Sequence, residues 1–421
     1  MIHVSTGKNL YYPVSERRMV RGSGVRLYDS DGNAFIDCAA ATFNLSLGYS
    51  HPEVLEAMRE QADKLIHVTS SFRTDPIDAL AHNLAAVAPD GLSLVNPKVG
   101  GGSEANEGAI KMAQRATGRS QVITLFRAHV GQTLMMSSMS GNAFRREPFP
   151  VELPGSLQVP DPYCHRCFYD KSPESCGRFC VDKIDDFIEF ASTGRVAAIL
   201  VEPISGNGGN IVPPEGYFQK LRELCDRHDI MLIFDEIQTG IGRTGHMFAA
   251  QHFGVTPDAI TTAKGLGGIG AQVAAIITTE RMGGLPSDQH SFTYGSNLLA
   301  AAAANKTLEI VGRPEFLANV RATGAHIMGR LAQIAERFPF VGDVRGVGLM
   351  IGFEIVGPGN APDVARTNAL AQKAMEHGLI LRTSRYGRGN VLKIRPPLIL
   401  TLDEAEEICE RLERLFSAEA A

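Results

Sequence analysis

The chain has 421 residues, of which 44% are apolar and 21% charged, a globular balance that excludes disorder over most of its length and suggests about two or three domains. Its net charge, 41 − 46 = −5, is too small and too acidic for a nucleic-acid surface or an anionic membrane. No apolar run reaches transmembrane length, and the opening MIHVSTGKNLYYP lacks an apolar signal core. A cytoplasmic location is therefore expected, and the seven cysteines read first as thiols or metal ligands.

In chain order, VRLY and AFID are short strands around an Asp29-Ser-Asp-Gly32-Asn turn, and a helix starts near His51. SEANEGAIKMAQRA (103–116) places apolar residues on one helical face. QVITLF (121–126), VAAILVEP (196–203), IMLIFDE (230–236), DAITTAK (258–264) and VAAIIT (273–278) are buried-type strands, with a helix over 216–228. Apolar runs separated by amphipathic helices predict an α/β fold with a mostly parallel sheet covered on both faces. From about 315 the pattern changes to a long helix (315–337), a Gly-edged strand DVRGVGLMIGFEI, a helix AQKAMEHG stopped by Gly378, a strand VLKIRPPL, and a Thr401–Glu404 capping box before the last helix. This predicts a smaller α+β domain over 315–421, joined by residues 1–60. The large domain is placed at 61–314, with a Cys-rich insertion at 160–181.

Ligands in open α/β sheets bind beyond the carboxyl ends of the strands. Glu202, Asp235 and Lys264 each end an apolar strand, either as a solvated strand end or as part of a site. Asp235 follows Met-Leu-Ile-Phe, where an unpaired charge is costly, so it calls for a cation. A protonated pyridine nitrogen is such a partner. Lys264 precedes a run of glycines, and a desolvated lysine is an imine-forming nucleophile. Gln238, three residues beyond Asp235, is placed to bond a ring oxygen. Gly100-Gly-Gly-Ser103 opens the 103–116 helix, whose free N–H groups suit a phosphate. A loop with a serine cap is the alternative. Gly265-Leu-Gly-Gly-Ile-Gly270 matches G-x-G-x-x-G, but a strand rather than a helix is predicted to follow, so a dinucleotide site is rejected.

LIFDEIQTGIGRTGHMFAAQHFGVTPDAITTAKGLGG (232–268) resembles the signature of class III, 4-aminobutyrate/ornithine-type, aminotransferases. The likeness extends through GYSHPEVLEAM, GGGSEANEGAIKMA, VEPISGNGG, SFTYGSNLLAAAAA and RPPL, and covers nearly the whole chain. It implies a fold-type-I pyridoxal-phosphate enzyme with a seven-stranded-type sheet, acting as a homodimer or higher oligomer with shared active sites. Carried over by position, Lys264 resembles the Schiff-base lysine, Asp235 the pyridine-nitrogen partner and Gln238 the residue near the ring oxygen. Gly102 and Ser103 resemble phosphate donors, Thr293 a phosphate ligand lent by the second subunit, and Glu202 the strand-end Glu-Pro near the site.

Three positions depart from the family pattern. His129 takes the slot of an aromatic residue that stacks on the cofactor. Asn207 stands where the family has a glutamate, and Lys393 where it has an arginine, with Arg395 on the same face two residues on. Lys393 and Arg395 are candidates for a substrate carboxylate, arginine through a bidentate fork. The resemblance implies amino transfer between an amine or amino acid and an oxo acid, aldehyde or ketone; epimerisation, decarboxylation or elimination on the same fold is the alternative, and a cofactor-binding protein without turnover is a third reading that the intact lysine opposes. Separately, Cys164-x2-Cys167 and Cys176-x3-Cys180 have the density expected of a tetrahedral zinc site, against an insertion loop of reduced thiols.

Overall fold

The computed structural model describes residues 17–147, 155–384 and 388–420; the opening stretch MIHVSTGKNLYYP lies outside them. Three strands begin the described chain: β1 (Met19–Ser23), β2 (Arg26–Asp29) and β3 (Ala34–Asp37). They form an antiparallel meander. The Asp29 carboxylate closes the predicted turn by accepting the N–H groups of Asp31 at 3.1 Å and Asn33 at 2.8 Å. Helices α1 (Pro52–Ala62) and α2 (Asp75–Val87) follow, each with proline in its first turn, where a missing N–H does no harm.

The central layer comprises β4 (Leu92–Val99), α3 (Gly102–Thr117), β5 (Gln121–Leu125), β6 (Ser156–Val159), β7 (Val196–Val201), α4 (Tyr217–Arg227), β8 (Met231–Asp235), β9 (Ala259–Thr262) and β10 (Ala274–Thr279). Its seven strands run in the order β4-β10-β9-β8-β7-β5-β6. Strands β9 through β6 are parallel, and β10 is antiparallel to both its neighbours. Every residue of β7 and of β8 is buried, because helices cover both faces and no polar alternation is needed. Each fully buried Ile, Leu or Val contributes about 1.5–3 kcal/mol relative to exposure. Helix α3 packs Ala105, Ala109, Ile110 and Ala113 inward, and α4 packs Phe218, Leu221 and Leu224.

The chain then runs through α5 (Leu298–Val311), α6 (Pro314–Arg337), β11 (Val341–Val347), β12 (Met350–Ile355), α7 (Val364–Lys373), β13 (Leu379–Ile380), β14 (Arg382–Thr383), β15 (Val391–Ile394) and α8 (Leu402–Ala420). Strand β13 joins the N-terminal meander parallel to β3, while β11, β12, β15 and β14 form a separate antiparallel sheet. A second hydrophobic core forms here from Val25, Ile36 and Cys38 near the start of the chain and Leu331, Phe353, Ile394, Leu412 and Phe416 near its end. The Thr401–Glu404 capping box closes in both directions, at 3.1 and 3.2 Å. Helix α7 starts well before AQKAMEHG, because Asp363 caps it by accepting the Arg366 N–H at 2.9 Å, and it ends at Lys373. Lys264–Gly267 is itself a short 3-10 turn, and the chain then runs to β10, so the glycine run opens no α-helix and the dinucleotide reading stays rejected.

Candidate active site

A cavity of about 370 Å³ opens beyond the carboxyl ends of β7, β8 and β9, within the size range of cofactor sites, roughly 300–1,000 Å³. Glu202, Asp235 and Lys264 all line it, joined by Gly102, Ser103, His129 and Gln238. Parallel packing of β7, β8 and β9 sets the three strand-end side chains side by side. Lys264 itself takes φ +41°, a left-handed conformation that costs a non-glycine residue about 1–3 kcal/mol and is held by its surroundings. The Ser46 hydroxyl helps to hold it, donating to the Gly265 carbonyl at 2.6 Å.

Burial dominates the electrostatics. It lowers the Lys264 amine from 10.5 to about 8, against the pull of Asp235 and Glu202, which favour the charged form. Burial raises Asp235 to about 6; the Asn106 side chain and the Ile237 N–H, donating at 2.8 and 3.1 Å, draw it back. Glu202 rises to about 7, first through burial and then through repulsion from Asp235. Its two oxygens accept the N–H groups of His129 at 3.1 Å and Gly206 at 3.0 Å, tying both loops of the site to β7. The arrangement keeps a fraction of Lys264 as free base near neutrality, which a nucleophilic amine requires.

The first turn of α3 forms the opposite wall. Its N-cap, Gly101, offers no side chain to the helix N–H groups, which line the cavity with Ser103. Such a terminus favours an anion through its unpaired donors and the helix dipole. A Cβ on Gly102 would lie 2.8 Å from Ile237 Cδ1, so glycine lets the backbone pack flush beside β8. The Ser103 hydroxyl accepts the Gln132 N–H at 2.9 Å, leaving its own proton to be donated.

Lys393 and Arg395 lie beside the cavity rather than in its wall. Both are buried, at 3% and 1% exposure, and both face the ring of Phe43. The Arg395 guanidinium carbon stands 3.2 Å from the ring centre; Lys393 Nζ and Lys264 Nζ each stand 5.9 Å from it. Arg395 donates to Gln238 Oε1 at 2.8 Å, leaving the Gln238 NH2 group to face the cavity, while Arg395 Nε and Nη2 have no hydrogen-bond partner among the described residues. Burial is the main cause pulling both cations well below their usual range, with repulsion added on Lys393 from Arg395 and on Arg395 from Arg243. Strand register places Arg382 directly opposite Lys393, a like-charge pairing that destabilises a sheet.

Thr293 is exposed and does not line the cavity of its own chain. The cysteine expectation needs correction. Cys164, Cys167, Cys176 and Cys180 surround a separate, apolar cavity of about 20 Å³ with Tyr163, Tyr169 and Phe179. Among the described residues no three His, Cys, Asp or Glu side chains are placed to hold a metal, so the zinc reading has no support there. Burial pushes both the Cys164 and Cys180 thiols up, Cys180 to about 12. Phe43 and Asn106 were not anticipated. Asn106 is the polar residue on the buried face of α3, which was the available signal. Phe43 sits in AATFN, a run with no pattern. The Asp37 carboxylate bends this run, accepting Ala39 N–H at 2.9 Å and Ala41 N–H at 2.6 Å, and Ala40, Ala41 and Phe43 all take positive φ.

A buried, low-pKa lysine between two carboxylates, facing a helix N-terminus across a cofactor-sized cavity, defines an enzyme of covalent amine chemistry. The chain belongs to the class III aminotransferase family, whose model matches residues 11–416. It is 36% identical over 407 residues to the leucine/methionine racemase of Thermococcus litoralis, covering 94% of this chain and 90% of that one. It is equally 36% identical, over 399 residues, to the acetylornithine aminotransferase of Methanothermobacter thermautotrophicus, covering 94% and 93%. A PLP-bound amine transaminase from an uncultivated Pseudomonas species superposes with a TM-score of 0.90 at 29% identity, covering 98% and 99%. The fold is that of a PLP-dependent transaminase, and the chain is an aminotransferase.

Proposed function

We propose that this aminotransferase holds pyridoxal phosphate in the cavity of about 370 Å³, with Lys264 as its covalent attachment point. The supporting observation is the pairing of a buried lysine of lowered pKa with a buried acid, Asp235, that makes no salt bridge among the described residues. The cofactor supplies an electron sink for the carbon bearing the amino group. Asp235 pairs with the ring nitrogen, Gln238 donates to the ring oxygen, and the first turn of α3 with Ser103 binds the phosphate. His129 packs its imidazole on the ring face, and Glu202 orders both neighbouring loops. Lys264 would also carry a proton to and from the substrate carbon.

The substrates are an amine or amino acid donor and an oxo acid, aldehyde or ketone acceptor. Lys393 and Arg395 are the basic groups beside the cavity that would meet a substrate carboxylate, with Arg395 the bidentate partner. The active unit is a homodimer in which Thr293 of one copy reaches the phosphate of the other. An exposed apolar patch supports this: Leu65, Ile66, Phe72 and Tyr294 are 45%, 52%, 62% and 75% exposed, and the His67–Asn297 bridge joins their two segments. Such patches mark interfaces. Two separate cores support a division near residues 60 and 315, with Leu47 and Val54 of the first segment packed in the larger core, and the seven free thiols fit a reducing, cytoplasmic compartment.

A donor screen tests this reading. The protein, loaded with pyridoxal phosphate, is mixed with amino acids and simple amines while the Schiff-base absorbance is followed. Loss of that band, with one oxo product per cofactor, is expected from at least one donor. Exchange of the substrate's α-hydrogen without any oxo product would instead make the enzyme an epimerase.

A further inference from the structure

Asn106 is a buried carboxamide that the scheme above does not use. It lies on α3, one turn beyond Gly102, and is 0% exposed. Its Nδ2 donates to the Val130 carbonyl and to Asp235 Oδ2, each at 2.8 Å. Its Oδ1 accepts from the Thr261 hydroxyl at 2.7 Å. The partners come from three different parts of the site: Val130 follows His129, Asp235 ends β8, and Thr261 lies on β9 just before Lys264. The network allows one amide orientation. The Val130 carbonyl and the Asp235 carboxylate only accept, whereas the Thr261 hydroxyl can donate. A flipped amide would set its oxygen against two acceptors.

We infer that Asn106 is a positioning residue: it orients the Asp235 carboxylate and, through it, the proton on the cofactor's ring nitrogen, with Thr261 locking the amide. This rests on the aminotransferase reading above. A hydrogen bond from a neutral donor to a buried carboxylate is among the stronger ones in a protein. For Asp235, which burial raises to about 6, the Asn106 bond is the largest opposing influence, ahead of Ile237 and Lys264. Without it the carboxylate becomes more basic and draws the proton away from the ring nitrogen it should leave protonated. A residue that merely filled space would be replaced without effect by a leucine of similar size.

The test uses the holoenzyme loaded with pyridoxal phosphate carrying 15N in the ring, whose NMR shift reports protonation of that nitrogen. Wild type, N106L, N106D and T261V are compared, with kcat and KM measured alongside. N106L should move the shift toward unprotonated pyridine and lower kcat roughly 10- to 100-fold with KM changed little. T261V should move it the same way by less. N106D sets two carboxylates 2.8 Å apart, which cannot both ionise, so its shift and rate should gain a pH dependence that wild type lacks. An unmoved shift and pH profile in these variants overturns the inference, whatever their melting temperatures. Should N106L fail to fold, the near-isosteric N106D and T261V decide by the same criterion. A wild-type protein that binds no cofactor or moves no amino group overturns the aminotransferase reading instead, a separate result.

Discussion

Raising the pH should speed capture of pyridoxal phosphate by the cofactor-free protein, and the rise should stop near the pKa of Lys264. Burial brings that amine from 10.5 to about 8, and only its free base attacks a carbonyl. At pH 7 an amine of pKa about 8 is free base in about one molecule in eleven; at 10.5 the figure is about one in three thousand, a difference of roughly 300-fold. The capture rate should climb nearly tenfold from about pH 6 to 7, less steeply to about pH 8, and level by about pH 9. Glu202 modifies this curve. Its charge favours the protonated amine, so Glu202→Gln should shift the plateau to lower pH. Stopped-flow absorbance at the Schiff-base band reads the rate, with Lys264→Ala as the control that captures nothing. A rate still rising tenfold per unit at about pH 10 would mean an ordinary lysine and would refute the reasoning.

Three further outcomes follow from the same geometry. Arg395→Met should reduce the preference for alanine over 2-aminopropane, measured as the ratio of kcat/KM values, by roughly 10- to 100-fold through loss of a charged hydrogen bond; an unchanged ratio removes Arg395 from carboxylate recognition. Glu202→Gln should also change stability in a pH-dependent way. The folded-state pKa of Glu202 is raised from 4.5 to about 7, so its contribution is fully present below about 4.5 and is lost as pH rises through about 7. The variant should therefore gain stability relative to wild type at about pH 8 but not at about pH 4, by at most about 3 kcal/mol; equal melting shifts at both values contradict this. Phe72→Asp should dissociate the proposed homodimer, read by light scattering, and weaken retention of the cofactor; a dimer that persists with full retention places the interface elsewhere.

Most of the large sheet was readable from apolar runs, because strands buried on both faces carry no polar residues to obscure them. MLIFD and VAAILV are examples, and their polar end residues mark where the cavity lies. The uncapped glycine start of α3 was readable for a related reason: Gly-Gly-Gly-Ser before an amphipathic helix leaves N–H groups with no cap. Other features depend on contacts distant in sequence. Phe43 reaches the site only because Asp37 bends a run of alanines into left-handed turns. The orphaned nitrogens of Arg395 depend on which residues β14 and β15 bring together. Cysteine spacing predicted a zinc tetrahedron, but spacing does not determine where thiols point, and these four pack with aromatic rings. The AQKAMEHG pattern places helix α7 too far toward the C-terminus, because its cap, Asp363, lies outside that amphipathic stretch.

The most direct test of the central claim is to trap the cofactor on the chain. The protein is purified with pyridoxal phosphate, reduced with borohydride, digested and mapped by mass spectrometry. The account predicts one pyridoxyl-phosphate adduct per chain, on Lys264. An adduct on Lys393 or on a surface lysine, with Lys264 unmodified, would contradict it.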